Sequence, residues 1–282
     1  MAERANVRLQ LASRPENVML VREVLTGVAD ALALDGADLI DIHTAVTEAC
    51  NNVVQHAYGG EEGLLDVAVK LALDAVTVLV RDWGVGIPAP PGGTAHQAGP
   101  GIGLAVIHAL THRLDLQRPA DGGTELSLEF ATSGAHPLQP VGMPELAPPA
   151  IAHTVPAPTV TLTVMPGELA RAVMPRLMCG LAARAHFSTD RLSDVHLVAD
   201  ALGASDGVAC LRTVAEVKPH ALELRIGPLA LGRGQGLVAD SSLDGLGPVI
   251  AKLVDRYQVQ SAGPYEVLAL RLTDGRRHSL RL

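Results

Sequence analysis

The chain has 282 residues, 48% of them apolar, only two Phe, three Tyr and one Trp, and a formal charge of −8. That is enough aliphatic material for one large domain or two of ordinary size, while the acidic balance argues against nucleic acid, whose binding rests on phosphate neutralisation. A run of about 18 apolar residues for a membrane span is missing, MAERANVRLQ is not a signal-peptide start, and three cysteines (Cys50, Cys179, Cys210) without metal-ligand spacing point to a reducing cytoplasm rather than a disulfide framework.

Val7 to Ala12 alternates as a strand. Ser13-Arg14-Pro15-Glu16 reads as a capping box, with Ser13 at the N-cap, opening a helix that runs to about Leu34. Asp35-Gly36 breaks the chain, and a second helix is expected to about Tyr58, closed by Gly59-Gly60. On it Glu48, Asn52 and His56 stand at i, i+4 and i+8 and share a face; Ile40, Ala45, Val46, Ala49, Val53 and Val54 lie largely on others and suit an interior. A carboxylate one turn from an amide can do two jobs. The amide oxygen can ligate a magnesium ion beside a nucleotide's phosphates, and the carboxylate can hold a hydroxyl or water and take its proton. A solvated polar stripe is the plainer account of the same pattern.

Leu64 to Leu73 and Val76 to Arg81 read as antiparallel strands across a turn near Asp74, the second running into Asp82-Trp-Gly-Val-Gly86. A carboxylate at a strand end can accept from an adenine amino group, and glycines after it allow close approach. Residues 88–101, PAPPGGTAHQAGPG, form a loop by composition. They feed a helix from Ile102 to His112, whose glycine-led start can present N–H groups to phosphate. Strands near 114–118 and 124–131 complete a mixed sheet with helices on one face, a two-layer α/β sandwich.

In this order and spacing, with Gly123-Thr124 following, these stretches resemble the N, G1 and G2 boxes of the GHKL (Bergerat-type) ATPase superfamily over about residues 6–132. Within it E-A-x-x-N-x-x-x-H-A-Y is most similar to the RsbW-type anti-sigma-factor serine kinases. The resemblance implies ATP and Mg2+ as cofactors, with Asn52 as the magnesium ligand and Asn51 a neighbour near the phosphates. It casts Glu48 as general base, a magnesium-water ligand being the alternative. It places Asp82 on the adenine amino group, Gly84 and Gly86 admitting the base, Thr124 assisting, and Gly101, Ile102, Gly103 and Leu104 at the phosphates. Tyr58 and His56 would shape the pocket, and Trp83 could stack near the base or merely pack. The implied partners are a STAS-type antagonist protein, a sigma factor, or both.

Residues 134–158 carry seven prolines and read as an extended linker between domains at 1–133 and 159–282. Beyond it, Val160 to Val164 matches Val7 to Leu11 at an offset of 153, as do Gly180 with Gly27, Leu192 with Leu39, Asp194 with Asp41 and His196 with His43. GLGPVIAKLVDRYQVQ (245–260) follows GIGLAVIHALTHRLDL (101–116) at 144. Order and apolar pattern point to a duplication. The offsets put Ala201, Ser205 and Ala209 opposite Glu48, Asn52 and His56, and Ile226 opposite Asp82. The second copy is therefore expected to be degenerate and without nucleotide, its Gly232-Arg-Gly-Gln-Gly236 a remnant resembling a phosphate loop. An intramolecular pseudo-dimer is expected, with further homodimerisation left open.

Charge is uneven: residues 1–140 hold 8 Lys and Arg against 17 Asp and Glu, the rest 14 against 13. Magnesium would relieve repulsion between an acidic domain and ATP. Kinases of the RsbW group commonly place a basic residue in the lid near the γ-phosphate, yet residues 88–103 offer only His96. Phosphoryl transfer needs neutralisation where charge develops, so the sequence supports ATP binding better than transfer. Two functions follow: a serine/threonine protein kinase acting on an antagonist of an anti-sigma system, or a non-catalytic ATP-responsive protein-binding module that regulates transcription.

Overall fold

The computed structural model describes residues 5–85, 102–132, 159–165, 167–204, 210–243 and 247–275. The chain divides into two compact units, residues 1–157 and 158–282.

In the first unit the strands are β1 (Val7–Ala12), β2 (Leu64–Leu71), β3 (Ala75–Arg81), β4 (Arg113–Gln117) and β5 (Glu125–Ala131), in the order β1-β2-β3-β5-β4. Every pairing is antiparallel, so the sheet of this unit is not the mixed one expected. The two-residue alternation of strands turns one face inward. Leu9 opposes Val67, Val67 opposes Val80 and Val78 opposes Leu128, all buried. Helices α1 (Pro15–Leu32), α2 (Gly36–Asn52) and α3 (Ile102–Leu110) supply the second layer. Leu20, Val21, Val24 and Val28 of α1 and Ala45, Val46 and Ala49 of α2 lie inside, as does Ile107 of α3. A fully buried aliphatic side chain contributes about 1.5–3 kcal/mol, so this aliphatic interior needs no aromatic centre.

Two local expectations fail for identifiable reasons. Ser13 is not the cap of α1; that position is Arg14, whose side chain makes no capping bond. The Ser13 hydroxyl instead accepts from the Gly63 N–H at 3.0 Å, and its own N–H donates to the Gly63 carbonyl. A tertiary bond to the chain entering β2 outcompetes the local cap. Nor does α2 continue regularly to Tyr58: beyond Asn52 it widens into a π-helical turn over Val53–Ala57.

The second unit holds β6 (Thr159–Val164), α4 (Glu168–Arg184), α5 (Thr189–Gly203), β7 (Leu211–Lys218), β8 (Ala221–Ala230), α6 (Arg233–Asp240), the short pair β9 (Ser242–Leu243) and β10 (Gly247–Pro248), α7 (Val249–Leu253), β11 (Arg256–Ala262) and β12 (Tyr265–Thr273). Its main strands run β6-β7-β8-β12-β11, the same succession as in the first unit, with α6 and the short pair added before α7. Met174, Leu177, Met178, Leu181 and Leu202 fill its interior. Arg191, 4% exposed, is buried with its partners supplied. It donates to Asp194 and Asp255 carboxylates and to the Leu253 and Thr273 carbonyls at 2.7–2.8 Å.

Candidate functional site

Asp35 opens α2 by accepting from the Asp38 N–H at 2.8 Å. The apolar positions Ile42, Ala45, Val46, Ala49 and Cys50 then face inward, which leaves Glu48, Asn51 and Asn52 half-buried at the helix end. The start of α3 lies against them. A Cβ built on Gly103 would stand 2.8 Å from Glu48 Oε2, 3.7 Å from Asn52 Oδ1 and 3.9 Å from Asn52 Nδ2. The glycine thus permits a helix start to come up against a carboxylate and an amide on consecutive turns. Leu104, next on α3, is half-buried. His56 is exposed on the widened turn, apart from the half-buried Glu48 and Asn52.

The second part of the site is the end of β3. Asp82 is 4% exposed, and its Oδ1 accepts from the Gly84 N–H at 2.9 Å. Burial pushes its carboxyl above the ordinary range, while the Gly84 and Thr124 donors hold it back. The Thr124 hydroxyl is near enough to influence that carboxyl, yet its buried oxygen forms no well-shaped hydrogen bond. A buried acid and an under-used hydroxyl beside it form a polar pair suited to the amino edge of a purine. Two glycines let backbone close in around it. A Cβ on Gly84 would fall 1.9 Å from the Ala57 carbonyl oxygen, and one on Gly123, at φ +77°, 2.0 Å from the Asp82 carbonyl oxygen. Trp83 turns its ring to the Arg81 guanidinium, 4.6 Å from the ring centroid, with Nε1 3.4 Å from Asp121.

The expected residues therefore gather as two groups joined by the end of α2: Glu48 and Asn52 with Gly103, and Asp82 with Gly84 and Thr124. Gly86 and Gly101 lie outside the described residues, and of Ile102 only its place at the start of α3 is described. Among the described residues, no group of three or more His, Cys, Asp or Glu could hold a metal ion. A magnesium ion here would take an amide oxygen and otherwise phosphate oxygens and water, a donor set that Asn52 fits. Sequence reading did not find Gly63, whose absent side chain makes room for the Tyr58 ring: a Cβ there would lie 2.1 Å from it. A glycine after Glu61-Glu62 carries no signal of that contact.

The second unit differs at the positions that the sequence offsets set against these residues. Ala201, set against Glu48, lies on α5, and Ser205 and Ala209 lie outside the described residues. Ile226 is fully buried within β8, which continues to Ala230 where β3 stops at Arg81. The stretch 232–236 is not an open loop: it begins α6, and the Gly234 N–H is taken by the Glu266 carboxylate at 2.9 Å. An anion from the chain itself already sits at that helix start.

Residues 11–130 match the family described as the histidine kinase-like ATPase domain. Relatives are the serine-protein kinases RsbW of Bacillus velezensis, 32% identical over 123 residues (39% of this chain, 77% of the relative), of Bacillus pumilus, 30% over 136 (43% and 83%), and of Bacillus licheniformis, 28% over 135 (43% and 83%). The chain belongs to this RsbW family of histidine kinase-like ATPases through its first unit. No described helix is long and apolar enough to cross a membrane.

Proposed function

We propose that the first unit binds Mg·ATP and transfers its γ-phosphate to a serine or threonine of a small antagonist protein, as part of a system that restrains a sigma factor. The observation that carries this reading is the approach of Gly103 to both Glu48 and Asn52, one face of α2 meeting a glycine-led helix start. In it, Asp82 and Thr124 read the adenine amino group, with Gly84 and Gly86 admitting the base. Backbone donors of Gly101, Ile102, Gly103 and Leu104, with Asn51 alongside, meet the phosphates. Asn52 holds magnesium, which when bound offsets negative charge on the phosphates. The acceptor hydroxyl oxygen attacks the γ-phosphorus, its bond to the β–γ bridging oxygen breaks, ADP leaves, and Glu48 takes the hydroxyl proton. Glu48→Gln should leave ATP affinity within about twofold and cut transfer of labelled phosphate to the cognate antagonist by about 10²–10⁴. Unchanged transfer would remove Glu48 from the chemistry.

One observation favours a second reading. The absence of Lys and Arg from residues 88–103 leaves the γ-phosphate without a basic neighbour from that stretch. On this reading ATP only adjusts a protein-binding surface, and Glu48→Gln leaves both partner capture and its ATP dependence intact, with no labelled product from either chain.

We further propose that the second unit is a duplicated, degenerate copy. Support comes from the offset of 153, which carries Pro15–Leu32 onto α4 and the start of α2 onto the start of α5, and from the common strand succession. With Ala201 and Ile226 at the decisive places, nucleotide titration should saturate at one per chain. Saturation at two would overturn the degenerate assignment.

A further inference from the structure

Four consecutive backbone N–H groups at the end of β3 are each committed to a different acceptor. Asp82 donates to the Thr124 carbonyl at 3.0 Å, Trp83 to the Tyr58 hydroxyl at 3.0 Å, Gly84 to the Asp82 carboxylate at 2.9 Å and Val85 to the Ala57 carbonyl at 2.8 Å. Of the four acceptors, the Ala57 carbonyl closes the π-helical turn that follows Asn52, and Tyr58 is the residue that caps it. The Tyr58 hydroxyl does not only accept: it donates onward to the Leu64 carbonyl at the head of β2, at 2.6 Å. Its ring is seated over Gly63, where any side chain would collide with it. Tyr58 is thus braced on one side by β2 and grips the turn that carries Asp82 on the other.

We propose that Tyr58 is a positioning residue for purine recognition, its hydroxyl fixing the Asp82–Trp83 peptide so that the Asp82 carboxyl is held at the angle a base requires. The inference rests on the nucleotide-binding reading and adds the residue that sets its base preference. The physical reason is directional. A carboxyl whose own N–H and the next three are all tethered cannot swing with its turn. Remove the Tyr58 oxygen and the half-buried Trp83 N–H loses that acceptor, the Asp82–Trp83 peptide gains play between the tethers on either side, and the carboxyl shifts with it. The π turn also shows why the coupling is local. It leaves Glu48 and Asn52 on the regular part of α2 and brings residues 57 and 58 to the strand end instead. The phosphate end should not sense the loss.

Tyr58→Phe deletes one oxygen and keeps the ring over Gly63. In the full chain it should weaken ATP by roughly tenfold, the worth of one hydrogen bond to an aligned group. It should narrow the ATP-to-GTP preference by a similar factor and leave Mg·tripolyphosphate affinity unchanged. Equal loss for ATP and tripolyphosphate would mean Tyr58 only supports the fold, and the proposal fails. Undiminished ATP affinity and base preference would overturn it as well. A wild-type chain that binds tripolyphosphate with no preference for ATP overturns the adenine reading itself, a result distinct from either. Should the variant not fold, hydrogen exchange in the unmutated chain decides. Because coupling is reciprocal, saturating ADP should slow exchange of the Trp83 amide about tenfold, and exchange unaltered by ADP refutes the grip.

Discussion

Gly103→Ala separates the stability of the first unit from its chemistry. Gly103 lies in the first turn of α3, and the change to alanine adds a Cβ 2.8 Å from Glu48 Oε2, with Asn52 Oδ1 at 3.7 Å. Among the described residues the tight neighbour is the end of a flexible side chain, which can yield without a backbone shift. Glu48 must withdraw by some tenths of an ångström to reach an ordinary contact near 3.4 Å. Alanine also favours the helix over glycine by up to about 1 kcal/mol, equivalent to about 2–4 °C in a domain of this size. The melting temperature should therefore hold or rise slightly. Activity should not. A displacement near 1 Å at a reacting group costs about 10²-fold, so transfer of labelled phosphate should fall by about 10- to 100-fold, with ATP affinity changed little. Calorimetric melting, ATP titration and a phosphotransfer assay on one preparation give the three numbers. Full transfer at an unchanged melting temperature would refute the placement of Glu48 as the group that meets the substrate. A fall of many degrees would refute the premise that its side chain can yield.

Gly84→Ala is the opposite case, because its Cβ would lie 1.9 Å from the backbone oxygen of Ala57; overpacking against backbone should cost about 1–3 kcal/mol or more and abolish ATP binding, read by urea unfolding and calorimetry, and a variant of native stability would show the approach to be looser. Cys50 is fully buried and its thiol is pushed up to about 12 by desolvation, so a thiol reagent should label it only at the rate of global opening while the half-exposed Cys179 reacts promptly; mass mapping that finds Cys50 labelled first would contradict this. Arg191→Ala leaves Asp194 and Asp255 without their shared partner and should cost the second unit about 3–5 kcal/mol, with ATP affinity of the first unit unaltered; a chemical-denaturation midpoint that does not move would count against it. Asp82 keeps its proton to higher pH in the folded chain than in the unfolded one, so stability from this group is greatest in acid and declines as pH rises from about 3.8 through the raised folded value. Asp82→Asn should remove that decline and lose ATP, and a variant whose stability retains the wild-type pH dependence over that range would exclude Asp82 as its source.

Much of the first unit was legible because its signals are local. Asp35-Gly36 breaks the chain where α2 is capped, alternation marks β3 and β5, Gly84 stands where backbones approach, and Gly103 stands where a helix start meets the Glu48 and Asn52 side chains. What stayed hidden depends on partners distant in sequence. Ser13 looks like a cap, and only the chain before β2 reveals that its hydroxyl is engaged by Gly63. Nothing in Val53–Ala57 marks a π turn, since the residues would serve an α-helix equally well. The glycines at 232–236 read as a loop by propensity, but Gly234 is fixed against Val259 and Glu266, and α6 forms around that contact.

The two units share one succession of strands but differ at the strand end and helix start where the first gathers its polar groups. In the first, an acid is held buried at a strand end where desolvation disfavours its charge, a hydroxyl is left short of partners beside it, and Gly103 stands in a helix that alanine would favour. Each of these opposes stability and makes sense only if a ligand completes it. In the second, the strand end is filled by buried Ile226 and the strand runs on, while the free amide at a helix start is answered by Glu266. Both changes satisfy from within what a ligand would otherwise satisfy. On the duplication proposed above, loss of the binding groups and gain of internal partners would be one event seen from two sides, since a stabilising replacement meets no opposition once nothing binds.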